Sequence, residues 1–235
     1  HKQLEYPLPA TVLTKKQLSR ISDKLYKVSL PKCGIIRTFP KRFRTLPTYY
    51  YGLNLPNLYL SMQISKLKEV VPHTGSSSIL GQQLQISFEI AQLESGQESF
   101  ILNANYKRYS QLVSCSWVKH VWRFVHDMSL HFKGWKQGFG KQRQHDTTIM
   151  DTLIDSGYNG DVLEVLNQCR QFLQVIYVSD IVTGNGKRLV ETMLNGYKDP
   201  SRKSKFTWKS IKKPTLRSWC IWRDSLKKAL CVSDT

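Results

Sequence analysis

The side chains best suited to contact another molecule are basic and aromatic residues interleaved between Leu13 and Leu60. A basic run, Lys41-Arg42-Phe43-Arg44, is followed a few residues later by Tyr49-Tyr50-Tyr51. Lysine and arginine pair with phosphates, and exposed aromatic rings stack on bases or sugars. This combination predicts a surface that faces nucleic acid, and it specifies no reaction.

The three consecutive tyrosines are informative because alternate residues of an extended segment point to opposite sides. They cannot all face one core, so at least one ring is expected to be exposed, beside the basic run. The alternative is that the rings pack on neighbouring helices with only their hydroxyl groups in water. The sequence leaves both possibilities open.

The charge of the chain supports a polyanionic partner. The 235 residues carry a net charge of +18, of which residues 1–72 contribute +10 and residues 201–235 contribute +8. Charge concentrated at two ends indicates a binding face, and nucleic acid is the polyanion that most directly explains it. An anionic membrane surface or an acidic protein is the alternative partner. No run approaches the roughly 18 apolar residues of a membrane-spanning helix, and no segment has the layout of a signal peptide.

The five cysteines predict neither a disulfide framework nor a metal site. They are scattered, odd in number, and lack both C-x-x-C spacing and neighbouring histidines at zinc-ligand spacing. Reduced thiols in an intracellular protein, nuclear or cytoplasmic, are the expected state. The cysteines are Cys33, Cys115, Cys169, Cys220 and Cys231.

Four carboxylates define the main enzymatic alternative, a metal-dependent nuclease. Asp146, Asp151, Asp155 and Asp161 fall mostly at predicted helix starts, where capping and the helix dipole explain acidic residues without chemistry. Metal-dependent cleavage lost in Asp151→Asn would favour the nuclease. His120 and His126, near Asp127, lack a second ligand cluster, so they are expected to be ordinary helix-surface histidines. No catalytic residue and no metal ligand are predicted.

Two short motifs resemble catalytic signatures without meeting their requirements. Tyr177-Val178-Ser179-Asp180 lacks the paired carboxylates with which a Y-x-D-D polymerase turn holds metal ions, and it continues a helical pattern. Gly184-Asn185-Gly186-Lys187 has Arg188 where a phosphate-binding loop needs a hydroxyl residue, so a turn is expected.

The elements that must position the basic residues are helices. Thr14 is a candidate N-cap, and Leu18, Ile21, Leu25 and Val28 recur at helical spacing after it. Prolines at 31, 40, 47 and 56 then exclude a long helix. They predict a short extended or β-hairpin segment around residues 31–57.

Apolar periodicity predicts helices through the rest of the chain, so the expected fold is mainly α, an irregular helical bundle. The expected organisation is a basic region over 1–72, a helical scaffold over 73–200, and a basic arm with a C-terminal helix over 201–235. The predicted helices are Leu58–Val71, Ile79–Leu93, Gln111–Met128, Thr147–Ser156, one capped by Asp161, and one capped by Thr215.

The predicted nucleic-acid-binding residues come from the first helix, the proline-rich segment, the loop Gly134–Arg143 and the arm before the last helix. That loop is either a phosphate-contacting segment or a plain connector. The predicted residues are Lys15, Lys16, Arg20, Lys24, Lys41, Arg42, Arg44, Tyr49, Tyr51, Lys136, Lys141, Arg143, Arg202, Lys203, Lys205, Lys212 and Lys213.

Several longer runs resemble one family of proteins. They resemble the region just after the polymerase palm in reverse transcriptase-like proteins of non-LTR-type retroelements in unicellular eukaryotes, and the resemblance covers nearly the whole chain. The runs are Leu8–Leu13, Leu30–Ile35, Phe39-Pro40, Tyr51–Tyr59, Ser116–Trp122, Asn167–Val175, Ser179–Ile181 and Trp219–Arg223.

The resemblance implies a piece of a longer protein, an expectation that fits a chain beginning at His1, not Met. In that family a helical thumb grips the template–primer duplex by its backbone, which makes residues 1–72 the thumb-like or connection region. The implied partners are an RNA or RNA–DNA duplex and an upstream palm in the same polypeptide. The polymerase carboxylates, and the Mg²⁺ they would bind, belong upstream of this stretch, so no cofactor is expected here. The cysteine–histidine knuckle of many such proteins is absent, which leaves the role of residues 73–235 undefined.

Overall fold

The computed structural model describes residues 7–133, 139, 143–198 and 206–230, and it is mainly helical, as predicted. The chain forms two compact units, residues 1–84 and 85–235. The division falls within the helix Ile79–Ser95, and each unit is described by itself.

The first unit is built from three helices: α1 (Lys15–Lys32), the short α2 (Lys41–Thr45) and α3 (Leu58–His73). Its core joins Leu8, from a preceding 3₁₀ turn, to Leu18 of α1 and to Leu58 and Met62 of α3. The helices begin where local chemistry predicts, because Thr14 and Gln17 form a capping box at α1 and the Asn57 side chain caps α3.

Two prolines lie inside the last turns of these helices, which shifts the helix ends from their predicted places. α1 continues through Pro31 to Lys32, and α3 continues through Pro72 to His73. A proline is tolerated in the last turn of a helix because the helix ends directly after it. The chain turns out of α1 at Gly34, which has a φ of +73°. The interior of this unit also holds the fully buried side chain of Lys66, on α3.

The proline-rich segment between α1 and α3 contains extended residues, as predicted, together with α2 and a 3₁₀ turn, Thr48–Tyr50. The β-hairpin alternative is wrong for these residues, which contain no strand. The loop returns to α2 instead, since the backbone N–H of Leu53 donates to Phe43 and that of Leu55 donates to Arg44. Gly52 is required there, because an added Cβ would lie 2.1 Å from the carbonyl oxygen of Leu46.

The second unit continues from α4 through six further helices and several 3₁₀ turns. Isolated β-bridges, Thr148 with Tyr177 and Val182 with Leu189, are the extended pairings in the described part of the chain. The helices are α4 (Ile79–Ser95), α5 (Tyr106–Tyr109), α6 (Ser116–Asp127), α7 (Ile149–Asp155), α8 (Gly160–Leu173), α9 (Glu191–Leu194) and α10 (Leu216–Leu230).

The predicted apolar side of α6 is confirmed, since Val118, Val121, Trp122 and Val125 are fully buried. The Trp122 indole N–H donates to the carbonyl of Ala104 at 2.8 Å, which satisfies its polar atom in the core.

The last helix, α10, docks on the second unit through tryptophans, as predicted. Trp219 and Trp222 are buried, Trp219 packs edge-on against Phe172 of α8, and the Trp222 indole donates to Met193. Thr215 accepts a hydrogen bond from the Ser218 backbone and so caps the helix. The chain before it also packs inward, because Phe206 and Trp208 lie against the cluster of Leu93, Phe139, Ile176 and Tyr177.

A buried arginine that the sequence did not single out holds α4 to α8. The Arg170 side chain is fully buried, donating to Asn167 Oδ1 at 3.0 Å, to the carbonyl of Val175 at 3.1 Å and to that of Glu94 at 3.2 Å. Buried guanidinium groups are stable only when hydrogen-bonded in this way. The Asn167–Val175 run therefore acts in the fold of the second unit.

Two local predictions in this unit are wrong. Tyr177–Asp180 does not continue a helix: Val178–Asp180 is a 3₁₀ turn, held because Asp180 accepts the backbone N–H groups of Ile176 and Tyr177. The α8 helix begins at Gly160 with Asn159 as N-cap, so Asp161 lies in its first turn, exposed.

Candidate nucleic-acid interface

The first helix, α1, presents three faces. One face packs through Leu18 on the core, and a second is lined by cations at four- and three-residue spacing, Lys16, Arg20, Lys24 and Lys27. We call these four residues the α1 cationic stripe. At a rise of about 1.5 Å per residue the stripe is roughly 16 Å long. Lys27 was not in the predicted set, although its helical spacing from Lys24 could have placed it there.

The stripe is exposed and uncompensated. All four side chains are exposed, and no described carboxylate lies within 4.0 Å of any of them. α1 contains one acidic residue, Asp23, and Asp23 is bound elsewhere. A helix surface with one sign of charge attracts a polyanion far more than it stabilises its own fold.

The third face of α1 is apolar and exposed. Ile21, Leu25 and Val28 are 37%, 46% and 61% exposed, although the sequence places them on the same apolar pattern as the buried Leu18. The helix is rotated so that Leu18 alone of this group reaches the core formed with Leu58 and Met62. The cationic stripe therefore lies next to an apolar surface.

A cleft of about 170 Å³ separates α1 from α2 and the start of α3. Lys15, Ser19 and Ser22 line it from α1, and Lys41 lines it from α2. Lys41 Nζ lies 2.6 Å from Asp23 Oδ2 and remains well exposed. Three of the predicted cations, Lys15, Lys41 and Arg44, are thus brought to one cleft, whose polar lining also includes hydroxyl groups that can hydrogen-bond a phosphate.

Arg44 lines the same cleft, but it is bound within the fold. Its side chain is buried, with its Nε donating to the carbonyl of Phe39 at 3.0 Å and its Nη1 3.5 Å from Asp23 Oδ1. The guanidinium also lies over the ring of Tyr26, 5.9 Å from its centroid. The Tyr26 hydroxyl donates to the carbonyl of Pro56, and burial raises the pKa of Tyr26 against the opposing charge of Arg44.

The three tyrosines after α2 are all exposed, which confirms that at least one ring faces solvent. Tyr49, Tyr50 and Tyr51 are 73%, 58% and 91% exposed. The rings of Tyr49 and Tyr50 lie 4.2 Å apart between centroids. Tyr51 has a left-handed backbone, with a φ of +58°, and its N–H donates to Thr48. Large rings held in water on a short turn are suited to stacking on a ligand.

Of the remaining predicted residues, Arg42 belongs to the first unit, and the others belong to the second unit or lie outside the described residues. Arg143 donates to the carbonyls of Thr183 and Gly184 at 3.1 and 3.0 Å, so it supports a turn. Lys212 and Lys213 are exposed before α10, and Arg42 is exposed on α2 of the first unit. Lys136, Lys141, Arg202, Lys203 and Lys205 lie outside the described residues.

Two of the four carboxylates of the nuclease hypothesis, Asp151 and Asp155, are paired within the fold. Asp151 accepts from the hydroxyl groups of Tyr109 and Thr148 and lies 3.4 Å from Arg108, which also reaches Asp155 at 2.7 Å. Across the residues that the structure describes, no three His, Cys, Asp or Glu side chains are close enough together to hold a metal ion.

The described helices include none that is both long and apolar enough to cross a bilayer. Comparison with protein-family models, with curated proteins and with solved structures finds no match to this chain. The geometry of the first unit therefore carries the functional argument.

Proposed function

We infer that the chain is a nucleic-acid-binding, non-catalytic part of a reverse transcriptase-like protein of a retroelement, and that its first unit grips the phosphate backbone of a template–primer duplex. The observation that carries this inference is the α1 cationic stripe, four exposed cations without a described carboxylate partner. Phosphates are the ligands that such a surface attracts most strongly.

The charge of the whole first unit supports the same conclusion. Residues 1–84 contain 13 Lys and Arg against three Asp and Glu. A surplus of this size in a small unit creates a field that draws in nucleic acid over distances beyond direct contact. Binding of this kind is independent of sequence and weakens steeply with salt.

The exposed tyrosines add a second kind of contact to the first unit. Tyr49 and Tyr51 stand on the turn after α2, and Arg42 on α2 is exposed. Rings beside cations bind unpaired bases or sugars, which a duplex offers at its single-stranded template end. The family resemblance implies the same ligand, because a thumb holds the template–primer junction.

The structure explains several residue types in the Tyr51–Tyr59 run, which carries much of the resemblance. Gly52 has no space for a side chain, Asn54 has a φ of +49°, and Asn57 caps α3. The run shapes the turn that presents Tyr51 and begins α3. It supports the scaffold of the proposed interface and contains no Lys or Arg that could contact a phosphate.

The test is binding of the 235-residue chain to a fluorescein-labelled RNA–DNA duplex with a template overhang, followed by anisotropy at several salt concentrations. Lys16→Gln/Arg20→Gln/Lys24→Gln removes three cations of the stripe. We expect affinity to fall by at least about tenfold near 0.1 M salt, and the salt slope to shrink by about 2 to 3.

The matched control removes three exposed cations of the second unit, in Lys107→Gln/Arg123→Gln/Lys133→Gln. It has the same change in net charge, so it separates a local contact from a general loss of charge. Equal affinities for the two triple variants would contradict the proposal, as would binding that does not change with salt.

One observation favours a second candidate, binding to an anionic membrane surface. The apolar residues Ile21, Leu25 and Val28 lie beside the cationic stripe on α1, the pattern of a helix that rests in a lipid headgroup layer. Flotation with phosphatidylcholine vesicles, with and without phosphatidylserine, tests it. Binding that needs phosphatidylserine and is lost in Leu25→Ser/Val28→Ser would favour the membrane surface.

A further inference from the structure

The second unit contains a basic groove that is separate from every residue assigned above to binding. It encloses about 700 Å³ between the segment Val182–Asn195 and the helix α10. One carboxylate, Glu191, lines it. The cations lining it are Lys187, Arg188, Arg223 and Lys227.

The turn that carries two of these cations is held by its own hydrogen bonds. The backbone N–H of Thr183 donates to the carbonyl of Arg188 at 2.8 Å, and that of Lys187 donates to Asn185 Oδ1 at 3.1 Å. Arg143 closes the turn from outside through the carbonyls of Thr183 and Gly184. The backbone beneath Lys187 and Arg188 is therefore ordered before any ligand arrives, which lowers the entropy cost of binding.

The opposite wall of the groove is equally fixed. α10 is anchored by the buried Trp222, whose indole donates to Met193 next to the groove residue Leu194. Lys227 lies exposed on α10, while Arg223 is half-buried with its Nε 3.6 Å from Asp224. Two rigid elements thus hold cations on both sides of one groove.

The nature of the lining selects the kind of ligand. Four cations line the groove against one carboxylate, and its aliphatic residues are buried or half-buried. This surplus of positive charge favours an anionic ligand. The described lining contains no aromatic ring, so base stacking has no platform there, and phosphates remain as the groups that the cations fit.

We propose that this groove is a second phosphodiester-binding site, which contacts the sugar–phosphate backbone of a nucleic acid without reading bases. It rests on the proposed function only for the class of ligand, because none of its residues belongs to the first unit. A chain with two such sites would hold a nucleic acid at two separate points along the backbone.

The experiment measures the same RNA–DNA duplex on the full chain, with Lys187→Gln/Arg188→Gln/Lys227→Gln. All three side chains are exposed, so the variant is expected to fold, as circular dichroism and tryptophan fluorescence will verify. We expect at least about tenfold weaker binding near 0.1 M salt and a salt slope smaller by about 2 to 3. The Lys107→Gln/Arg123→Gln/Lys133→Gln variant is the charge-matched control.

A second measurement locates the contact independently of affinity. Acetylation of lysine amines, followed by mass spectrometry, should show the duplex protecting Lys187 and Lys227 but not Lys107. A glutamate-rich peptide is compared as a competitor. Stronger protection by the peptide than by the duplex would overturn the inference and identify a protein-binding groove.

The outcomes separate this inference from the proposed function. If the groove variant binds like the control and its lysines are unprotected, while the α1 variant is weakened, the groove inference is wrong and the α1 interface stands. If only the groove variant is weakened, the α1 interface is wrong and the groove stands. A wild-type chain that does not bind the duplex overturns both.

Discussion

Lys41 Nζ lies 2.6 Å from Asp23 Oδ2, so the one acidic residue of α1 is bound by a cation of α2. The same carboxylate, through its other oxygen, lies 3.5 Å from the buried Arg44. This arrangement directs both carboxylate oxygens to cations of α2 and holds α2 against α1. It also occupies Lys41, which would otherwise be available to a phosphate.

Asp23→Asn should therefore strengthen nucleic-acid binding while it weakens the fold. Removing the carboxylate frees Lys41, and we expect affinity for the RNA–DNA duplex to rise about three- to tenfold near 0.1 M salt. The free energy of unfolding should fall by about 1 kcal/mol. The Lys41–Asp23 pair is partly exposed and contributes little, whereas the buried Arg44 loses its carboxylate partner.

Anisotropy and urea unfolding measure the two effects of Asp23→Asn. Asp127→Asn, on α6 of the second unit, is the control, since it makes the same change of charge at an exposed site. An equal gain in affinity for both variants would show that the nucleic acid does not approach the cleft between α1 and α2.

Gly96 should be far more sensitive to substitution than Gly157, although both have a positive φ, +70° and +88°. A Cβ at Gly96 would lie 2.6 Å from Met150 Cγ and 3.1 Å from Arg170 Cζ. A Cβ added at Gly157 would meet no atom within 4 Å. We expect Gly157→Ala to cost about 1 kcal/mol through backbone strain alone. Gly96→Ala should cost roughly 2 to 4 kcal/mol, because it also displaces the buried guanidinium.

Urea unfolding followed by tryptophan fluorescence measures this difference cleanly. All six tryptophans lie beyond residue 85, so their emission reports on the second unit. A similar loss of stability in the two variants would mean that Arg170 moves aside without cost.

The starts of α1, α3 and α4 could be predicted from the sequence because their signals are local. Thr14 and the apolar spacing mark the start of α1, and the prolines mark the neighbourhood where helices end. Capping involves residues three or four apart, so it can be recognised from the sequence without knowledge of tertiary contacts. The mainly helical class follows from the same local information.

The composition of the candidate site could be predicted only in part, because burial depends on partners far along the chain. Arg44 resembles its exposed neighbour Arg42 in sequence, yet it is buried through Asp23, 21 residues earlier. Leu25 matches Leu18 in helical spacing, yet only Leu18 reaches Met62. The groove lined by Lys187 and Lys227 brings together residues 40 positions apart, so no local sequence pattern predicts it.

Tyr51 should show opposite effects on stability and on binding. Its left-handed backbone costs free energy that glycine would avoid, while its ring is 91% exposed and contributes little packing. We expect Tyr51→Gly to leave the free energy of unfolding unchanged or raise it by up to about 1 kcal/mol. Affinity for a duplex with a template overhang should fall by roughly 1 to 3 kcal/mol, with a smaller loss for a blunt duplex.

The control for Tyr51→Gly is Asn54→Gly, which relieves a positive φ of +49° in the same loop without removing a ring. Anisotropy with the two duplexes measures affinity, and circular dichroism during urea unfolding measures stability. Equal affinity of Tyr51→Gly and wild type for the overhang would contradict a stacking role for this ring.

The stability of the first unit should rise with pH between about 8 and 10.5 because of Lys66. Burial lowers the pKa of this lysine from 10.5 to about 8 in the folded state. Between these two values the unfolded chain binds more protons than the folded one, so raising the pH favours folding by up to about 1.4 kcal/mol per unit. Below pH 8 both states carry the proton and this dependence disappears.

Lys66→Met isolates that contribution, because methionine has a similar length and no titrating group. Urea unfolding followed by circular dichroism at several pH values gives the free energy of each protein, with tryptophan fluorescence reporting separately on the second unit. As the pH rises from 8 to 10.5, the free energy of unfolding of the wild type should increase relative to that of Lys66→Met. Below pH 8 the difference between the two free energies should be constant. A difference that stays constant over the whole range would mean that the folded protein keeps Lys66 protonated. Lys68→Met, at an exposed position of the same helix, should show no such gain.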